Sequence, residues 1–237
     1  MIALEPIEPL EWTDEQVSSI WEYYSTRSEM YFTNLFGEQI LEETTRYLPN
    51  DAVVCDYGCG AGFLLKRLVE HCVSSGVDHT RANLEKTAEI IGPHKNLAGL
   101  YHISEIENLG RVFDAIYFVE TIEHLLDHHI APTMEKMYAL LKPGGIIICT
   151  TPHDEDLSEQ EVYCPTTRKT FHRYQHVRSF TKDSLRKDFE NFGFEHVISF
   201  GTDFTARGFK AQMKTRLREY LGRKNPHLVC IVKRPKS

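Results

Sequence analysis

Two stretches of this 237-residue chain carry residue types at spacings that suit chemistry. The first is Asp56-Tyr57-Gly58-Cys59-Gly60-Ala61-Gly62, which follows apolar Val53, Val54 and Cys55 and runs into Phe63, Leu64, Leu65, Leu68 and Val69. A strand that stops at an acid, turns through three alternate glycines and enters a helix builds a cradle for a nucleoside. Glycine admits positive φ and leaves no Cβ in a ligand's way, and the helix N-terminus presents free N–H groups. The second stretch is Glu120-Thr121-Ile122-Glu123-His124, delivered by the apolar run Asp114–Val119. In a helical turn residues 120, 123 and 124 share one face. Glu120, Glu123 and His124 together can take a proton from a hydroxyl or hold a hard or borderline divalent metal. Without a cation or His124 between them, the two carboxylates would raise each other's pKa.

Spacing narrows the ligand of the glycine turn. A dinucleotide fold wants G-x-G-x-x-G, which needs a glycine where Phe63 stands. The tighter G-x-G-x-G, with Asp56 two residues ahead, resembles motif I of the class I S-adenosylmethionine (SAM) dependent methyltransferases. The plain structural alternative is a glycine-rich turn with no ligand. The resemblance implies that Asp56 holds the methionine ammonium through a charge-assisted hydrogen bond, with Gly58, Cys59, Gly60 and Gly62 lining the turn. It places Asp78, with His79 beside it, at the ribose hydroxyls; the competing role for Asp78 is to cap the helix opening at Thr80. It assigns Ile103 and Ser104 to the adenine. Leu140-Leu141-Lys142-Pro143-Gly144-Gly145 looks like the same family's helix stop before its fifth strand.

The chemistry end resembles two sets of methyltransferases. Quinone-biosynthesis O-methyltransferases carry Glu-x-x-Glu-His at this place, and so do enzymes that 2′-O-methylate the 3′-terminal ribose of small RNAs. In the latter the trio and a later histidine hold a metal, which implies a divalent ion on Glu120, Glu123, His124 and His176. His176 lies just before a capped helix in the segment 171–181; His172 is a second candidate, and His128-His129 reads as a solvated turn. Glu-His after the fourth strand also occurs in metal-free class I methyltransferases, as a structural element or a base. Cys164-Pro165 followed by 171–178 resembles uncharacterised bacterial methyltransferases with a Cys-Pro-x-Cys lead-in, but Thr167 replaces the second cysteine. Thr151-Pro152-His153-Asp154 stands where the RNA enzymes tend to have an asparagine-tyrosine element.

The expected function is transfer of a methyl group from SAM to an oxygen of a small-molecule acceptor. The alternatives are a metal-dependent RNA 3′-terminal ribose 2′-O-methyltransferase and a SAM-binding subunit that does not catalyse. Phe63 and the Glu-x-x-Glu-His element disfavour a nicotinamide dehydrogenase.

The elements that must position these residues follow from periodicity. Strands are expected at 52–56, 74–78, 98–102, 114–119, 145–150, 194–201 and 227–233, and helices at 62–71, 80–90, 131–141 and 181–191. Alternation of this kind implies a Rossmann-like α/β fold, a seven-stranded, mostly parallel sheet with helices on both faces. The family resemblance, over about residues 50–235, adds an antiparallel last strand. Pro132 suits the first turn of its helix. Residues 1–50 read as an N-terminal helical cap: an arm over 1–10, a helix opened by the capping box Thr13–Gln16, and a second helix over Gly37–Tyr47. Tyr23, Tyr24, Tyr31 and Phe32 lie between the two helices, as packing or as a lid. Residues 51–237 form the methyltransferase domain, with a basic helical insertion at 203–226. There Phe209, Met213, Leu217 and Leu221 recur every four residues, as do Lys210, Lys214 and Arg218, giving an apolar seam beside a cationic stripe.

Composition bounds the rest. No run approaches the roughly 18 apolar residues that span a bilayer, and Met1–Glu5 lacks the features of a secretory signal. The expectation is a cytoplasmic protein with no membrane partner. Six cysteines without a C-x-x-C pair argue against a disulfide framework. The net charge of −7 hides an asymmetry: 164–237 holds 17 Lys and Arg against 6 Asp and Glu. Such a basic half suits an anionic partner, RNA included, or is simply one basic face. Oligomeric state is not legible.

Overall fold

The computed structural model describes residues 7–110 and 112–236, so Met1–Glu5 and most of the expected arm lie outside the described residues. The chain opens with β1 (Glu8–Pro9), α1 (Asp14–Ser25) and α2 (Phe32–Thr44). Alternation then begins with β2 (Val53–Tyr57), α3 (Phe63–Leu68), β3 (Val73–Asp78), α4 (Arg81–Ile91) and β4 (Leu97–His102). It continues through β5 (Phe113–Val119), α5 (Asp127–Leu140) and β6 (Leu141–Pro152). A hairpin, β7 (Glu161–Cys164) and β8 (Lys169–His172), precedes α6 (Lys182–Asn191), β9 (Glu195–Thr202), α7 (Phe209–Tyr220) and β10 (His227–Lys233).

Seven strands form one sheet in the order β4-β3-β2-β5-β6-β10-β9. All pair in parallel except β10, which lies antiparallel between β6 and β9. Parallel strands bury both faces and therefore read as continuous apolar runs. In β5, Ile116 and Phe118 enter one core with Met134, Met137 and Phe189. Ala115, Tyr117 and Val119 point the other way, toward Ile40, Leu64 and Leu68. Because β2, β3, β5 and β6 run the same way, Asp56, Asp78, Glu120 and Thr150-Thr151 all reach one carboxyl edge, where open α/β sheets place ligands.

Three expectations need correction. α2 starts at Phe32 rather than Gly37, because Phe32 and Phe36 pack on the core with Ile40 and extend the apolar face one turn back. α5 starts at Asp127, so Pro132 is its sixth residue and not in its first turn. The ring removes one helical N–H, and the turn before it is held from outside: Asp14 bridges His128 and His129 at 2.7–3.2 Å. Those histidines therefore belong to the helix and not to a solvated turn. Beyond these, a small sheet forms in the order β1-β8-β7, whose strands are too short and polar to stand out in the sequence. The Thr13 capping box on α1 and the Thr181 cap on α6 form as the sequence implies. All six cysteines are free.

Phe189 is fully buried and seats α6 against β9 and β10. Phe189→Ala should cost about 3–5 kcal/mol of unfolding free energy, measured by urea denaturation; a loss under about 1 kcal/mol would mean that α6 is not integral to the core.

Candidate active site

The glycine turn is locked from three sides. Gly60 takes φ +53, and a Cβ there would fall 2.9 Å from the Tyr31 ring. Gly62, the N-cap of α3, takes φ +81, with Thr87 only 2.5 Å from where a Cβ would stand. The Gly60 N–H donates to Asp78 Oδ2 at 2.9 Å, and the Thr87 hydroxyl donates to the Gly60 carbonyl at 2.9 Å. Asp78 Oδ1 also accepts from the Thr80 N–H at 2.9 Å and Asn83 Nδ2 at 3.1 Å. Asp78 thus ties the loop to the residues at the start of α4, whose N-cap is Thr80 with no side-chain cap bond, and still faces the cavity. Asp56 is buried beside it, and its Oδ2 has no partner. Burial, and then the nearby Asp78 carboxylate, push Asp56 up to about 7. A buried acceptor without a donor is costly unless a ligand satisfies it.

Beyond β5 the chain turns sharply at Glu120, which holds φ +46; a non-glycine residue in that region stores strain, a pattern that clusters at functional sites. Ile122–His124 form a 3-10 turn. Two successive threonines ending β6 hold the two acids: Thr150 donates to Glu120 Oε1 at 2.8 Å and Thr151 to Glu123 Oε2 at 3.0 Å. Glu123 is buried and its Oε1 has no hydrogen-bond partner. Burial, reinforced by Glu120, pushes Glu123 well above the usual carboxylate range. Burial also raises Glu120, to about 7.

The His176 segment is drawn in by a backbone bond from the Val177 N–H to the Glu123 carbonyl, 2.9 Å. As a result Glu123, His124 and His176 each offer an atom within 4.8 Å of the others. Hydrogen bonds at the far side of each ring fix its tautomer. His124 Nδ1 faces the Gln175 carbonyl at 3.4 Å, and its Nε2 lies 3.9 Å from Glu123 Oε1. Carbonyls only accept, so His124 carries its proton on Nδ1 and turns a lone pair toward Glu123. Burial, then His176, hold His124 well below the ordinary imidazole pKa, so it is neutral. His176 Nδ1 meets Glu155 Oε2 at 2.5 Å, which leaves its Nε2 free. On the other side of Glu155, His172 Nδ1 accepts from the Tyr174 and His176 N–H groups at 3.3 and 3.2 Å, so its proton sits on Nε2, 3.4 Å from Glu155 Oε1. Burial alone would raise Glu155, but the His176 hydrogen bond and the two imidazoles outweigh it and lower its pKa. Glu155, His172 and His176 also lie within metal-ligand distance of one another. Glu155 is hydrogen-bonded to His176 and has His172 Nε2 3.4 Å from its other oxygen, so that trio is closed on its carboxylate, whereas Glu123, His124 and His176 converge with lone pairs.

Aromatic side chains of the N-terminal segment close this space. Trp21 stacks edge-on against His124 at 4.5 Å and donates to Gln175 Oε1 at 3.0 Å. Gln175, fully buried with φ +61, also donates through Nε2 to the His124 carbonyl at 3.0 Å. Trp21, Tyr24, Tyr31 and Phe32 line a cavity of about 820 Å³ that runs from the glycine turn to the acid–imidazole cluster; Tyr23 stays exposed.

Of the residues singled out from sequence, Asp56, Gly58, Cys59, Gly60, Asp78, His79, Glu120, Glu123, His124 and His176 all line that cavity. Gly62, Ile103 and Ser104 do not. Gly62 sits behind the turn, Ile103 packs on the core, and the Ser104 hydroxyl is bonded to His102 Nδ1 at 2.8 Å. Glu120 lies outside the tight trio, its carboxylate turned to Thr150. Sequence reasoning missed Trp21, Asn83, Glu155 and Gln175. Only Glu155 left a signal, a carboxylate on the loop just past Thr151-Pro152-His153-Asp154.

The family described as Methyltransferase domain matches residues 31–199. The ubiquinone biosynthesis O-methyltransferase of Dinoroseobacter shibae is 29% identical over 164 residues, 64% of this chain and 63% of that protein. The small RNA 2′-O-methyltransferase of Arabidopsis thaliana is 22% identical over 211 residues, 78% of this chain but 22% of that protein. Three ubiquinone biosynthesis O-methyltransferases match over 43% to 63% of their own length. Among solved structures, the Burkholderia thailandensis 1,6-didemethyltoxoflavin-N1-methyltransferase, with S-adenosylhomocysteine bound, superposes with a TM-score of 0.66 at 15% identity, covering 97% of this chain and 94% of that one.

The raised Asp56 pKa has a stability consequence. Folding favours its protonated form, so this contribution is full below about pH 4 and is lost as pH rises through about 7. Asp56→Asn should therefore leave the protein more stable than wild type above pH 7, by roughly 1–3 kcal/mol, and equal to it near pH 4. Thermal melts across that range check it, and a variant less stable at pH 8 would show that Asp56 is ionised and paired in the free protein.

Proposed function

The chain belongs to the methyltransferase domain family, the class I SAM-dependent methyltransferases, and on that premise we propose that it methylates an oxygen of a small-molecule acceptor beside a divalent metal. The single observation that carries this reading is the trio of buried Glu123 with His124 and the half-buried His176, placed in one cavity with the glycine turn.

The residues present fit both groups. The unpartnered Oδ2 of Asp56 suits an ammonium, and a cationic partner would return Asp56 to its ionised form. Gly58 and Gly60 line the cavity, their Cβ directions being taken by Thr121 and Tyr31, and the remaining lone-pair capacity of Asp78 suits ribose hydroxyls. For the metal, the unpartnered Oε1 of Glu123 and the free Nε2 atoms of His124 and His176 form an oxygen–nitrogen donor set suited to a hard or borderline divalent ion. Glu120 would complete it or stand beside it as the proton acceptor. A bound metal would supply Lewis acidity, lowering the pKa of the acceptor hydroxyl.

The protein's own part is positioning and proton handling. Trp21, Tyr24 and Tyr31 wall a cavity of about 820 Å³, which the methyl donor would share with a small acceptor. The acceptor oxygen attacks the methyl carbon in line; the C–S electron pair stays on sulfur, leaving S-adenosylhomocysteine, and the hydroxyl proton passes to Glu120, whose pKa of about 7 suits a base at neutral pH. Glu155 orients His176 through its Nδ1, the outer-shell role that carboxylates take behind metal-binding imidazoles. The O-methyltransferase names of the ubiquinone relatives agree with an oxygen acceptor. A second reading, an RNA 3′-terminal ribose, draws on the small RNA relative and on the basic half beyond Cys164.

The test measures metal binding by titration calorimetry and S-adenosylhomocysteine release with a panel of phenolic and sugar hydroxyls. Glu123→Ala and His176→Ala should abolish metal binding and turnover, and Glu155→Ala should weaken metal affinity by about 10–100-fold. Full activity after chelation and in all three variants would remove the metal from the mechanism. Turnover on short RNA alone would move the acceptor to RNA. No turnover with any acceptor, despite SAM binding, would favour a non-catalytic subunit.

A further inference from the structure

The helix α7 sits on the protein the wrong way round for a surface helix of a soluble domain. Its inward positions are Ala211, Thr215 and Glu219, spaced by four. The buried Thr215 hydroxyl bonds the Ala211 carbonyl, Asn225 Nδ2 donates to the Thr215 carbonyl, and Glu219 pairs with Lys182 on α6. At 100° per residue the opposite stripe is Phe209, Met213, Leu217, Tyr220 and, at its margin, Leu221. These five are 48% to 87% exposed. The polar face is packed and the apolar face meets water, the reverse of the usual arrangement.

The cations around this stripe are free to engage a partner. Lys214 flanks it on one side and Arg216 on the other, while Lys210 lies between Leu217 and Leu221, all exposed. Among the described residues neither they nor Arg207 and Arg223, at the ends of the insertion, make an ion pair. An aliphatic and aromatic seam bordered on both sides by unpaired cations is complementary to one surface in particular: apolar chains beneath a layer of anionic headgroups. Nucleic acid would match the cations but not Met213 and Leu217.

Place in the fold adds a reason for such a contact. β9 runs parallel to β6, so the insertion leaves the sheet at its carboxyl edge and returns through Lys224, Pro226 and His227, which line the cavity. A contact made by α7 would hold the mouth of the cavity close to what α7 touches. The expectation of no membrane partner rested on spanning segments, and no helix here is long and apolar enough to cross a membrane. Lying on a bilayer requires no such length.

We propose that α7 docks the protein on an anionic lipid surface, laying Phe209, Met213, Leu217 and Tyr220 into the boundary between headgroups and acyl chains while Lys210, Lys214 and Arg216 meet lipid phosphates. The proposal does not depend on which acceptor is methylated.

Vesicle co-sedimentation of the full chain tests it, comparing pure phosphatidylcholine with phosphatidylcholine–phosphatidylglycerol mixtures at low and high salt. Wild type should partition onto the anionic vesicles and weaken as salt rises. The pair Phe209→Ser with Leu217→Ser should lose binding at any salt, and Lys210→Glu with Lys214→Glu should weaken it roughly tenfold or more. Both double variants should keep wild-type melting temperature and SAM affinity, which separates loss of docking from loss of fold. The idea is overturned if wild type stays in solution with anionic vesicles, or if the serine pair sediments as wild type does. It is equally overturned if the same variants instead abolish binding to a short RNA, or convert a dimer to a monomer in light scattering, with no vesicle binding by wild type.

Discussion

Crowding of negative charge at one sheet edge is the constraint on which the rest of this structure depends. Asp56, Asp78, Glu120, Glu123 and Glu155 all line a single cavity, and the first two and Glu123 are buried. Carboxylates in that setting are desolvated and repel one another, so each needs donors or a proton. The fold supplies donors one by one. Backbone N–H groups of Gly60 and Thr80 serve Asp78, Thr150 and Thr151 serve the two glutamates, and the His176 imidazole serves Glu155, with His172 close by. What is left over is informative: one oxygen of Asp56 and one of Glu123 have no donor. These two gaps, both in the lining of the cavity, are where a cationic group has the most to offer.

The fold itself was readable because parallel strands cannot hide. Burial on both faces makes β2, β5 and the centre of β6 near-continuous apolar runs, and the ends of β2, β3 and β5 are marked by an acid at the sheet's carboxyl edge. Helix starts were less readable. Gly37 looks like a boundary, but the pull of Phe32 and Phe36 onto the core carries α2 through it. Pro132 looks like a first turn, but Asp14 pins His128 and His129 from another helix and lets α5 begin a turn earlier. In both cases a tertiary contact outweighed a local preference worth about 1 kcal/mol or a few.

The site divides along the same line. Asp56 is close in sequence to the glycines, and Glu123 to His124, so proximity within each of these two groups is local geometry, while the parallel pairing of β2 with β5 brings the groups to one edge. His176 is 52 residues beyond His124, and its nearness rests on a single backbone bond from Val177 to Glu123 and on Gln175, held in a left-handed conformation. Gln175 could not be identified in advance, since glutamine, unlike glycine, does not announce that it will adopt positive φ in a loop. The same holds for Glu155 and Trp21, whose roles consist entirely of what they touch: an imidazole Nδ1 in one case, the face of His124 in the other.

By itself the sequence determined the alternating α/β architecture, the glycine turn with its acid, and the presence of two carboxylates and an imidazole after the fourth parallel strand. It also showed that the segment around residues 209–221 has an apolar seam and a cationic stripe. Tertiary structure decided which imidazole nitrogens carry protons, that Asp78 braces the glycine turn, that Glu155 clamps two histidines, and that the seam of α7 faces outward. Periodicity fixes the angle between side chains around one element, because that angle is a property of the backbone. Which side of the element is covered, and which oxygen is left without a donor, depends on partners distant in the chain, and those exist only once the sheet has brought its carboxyl ends together.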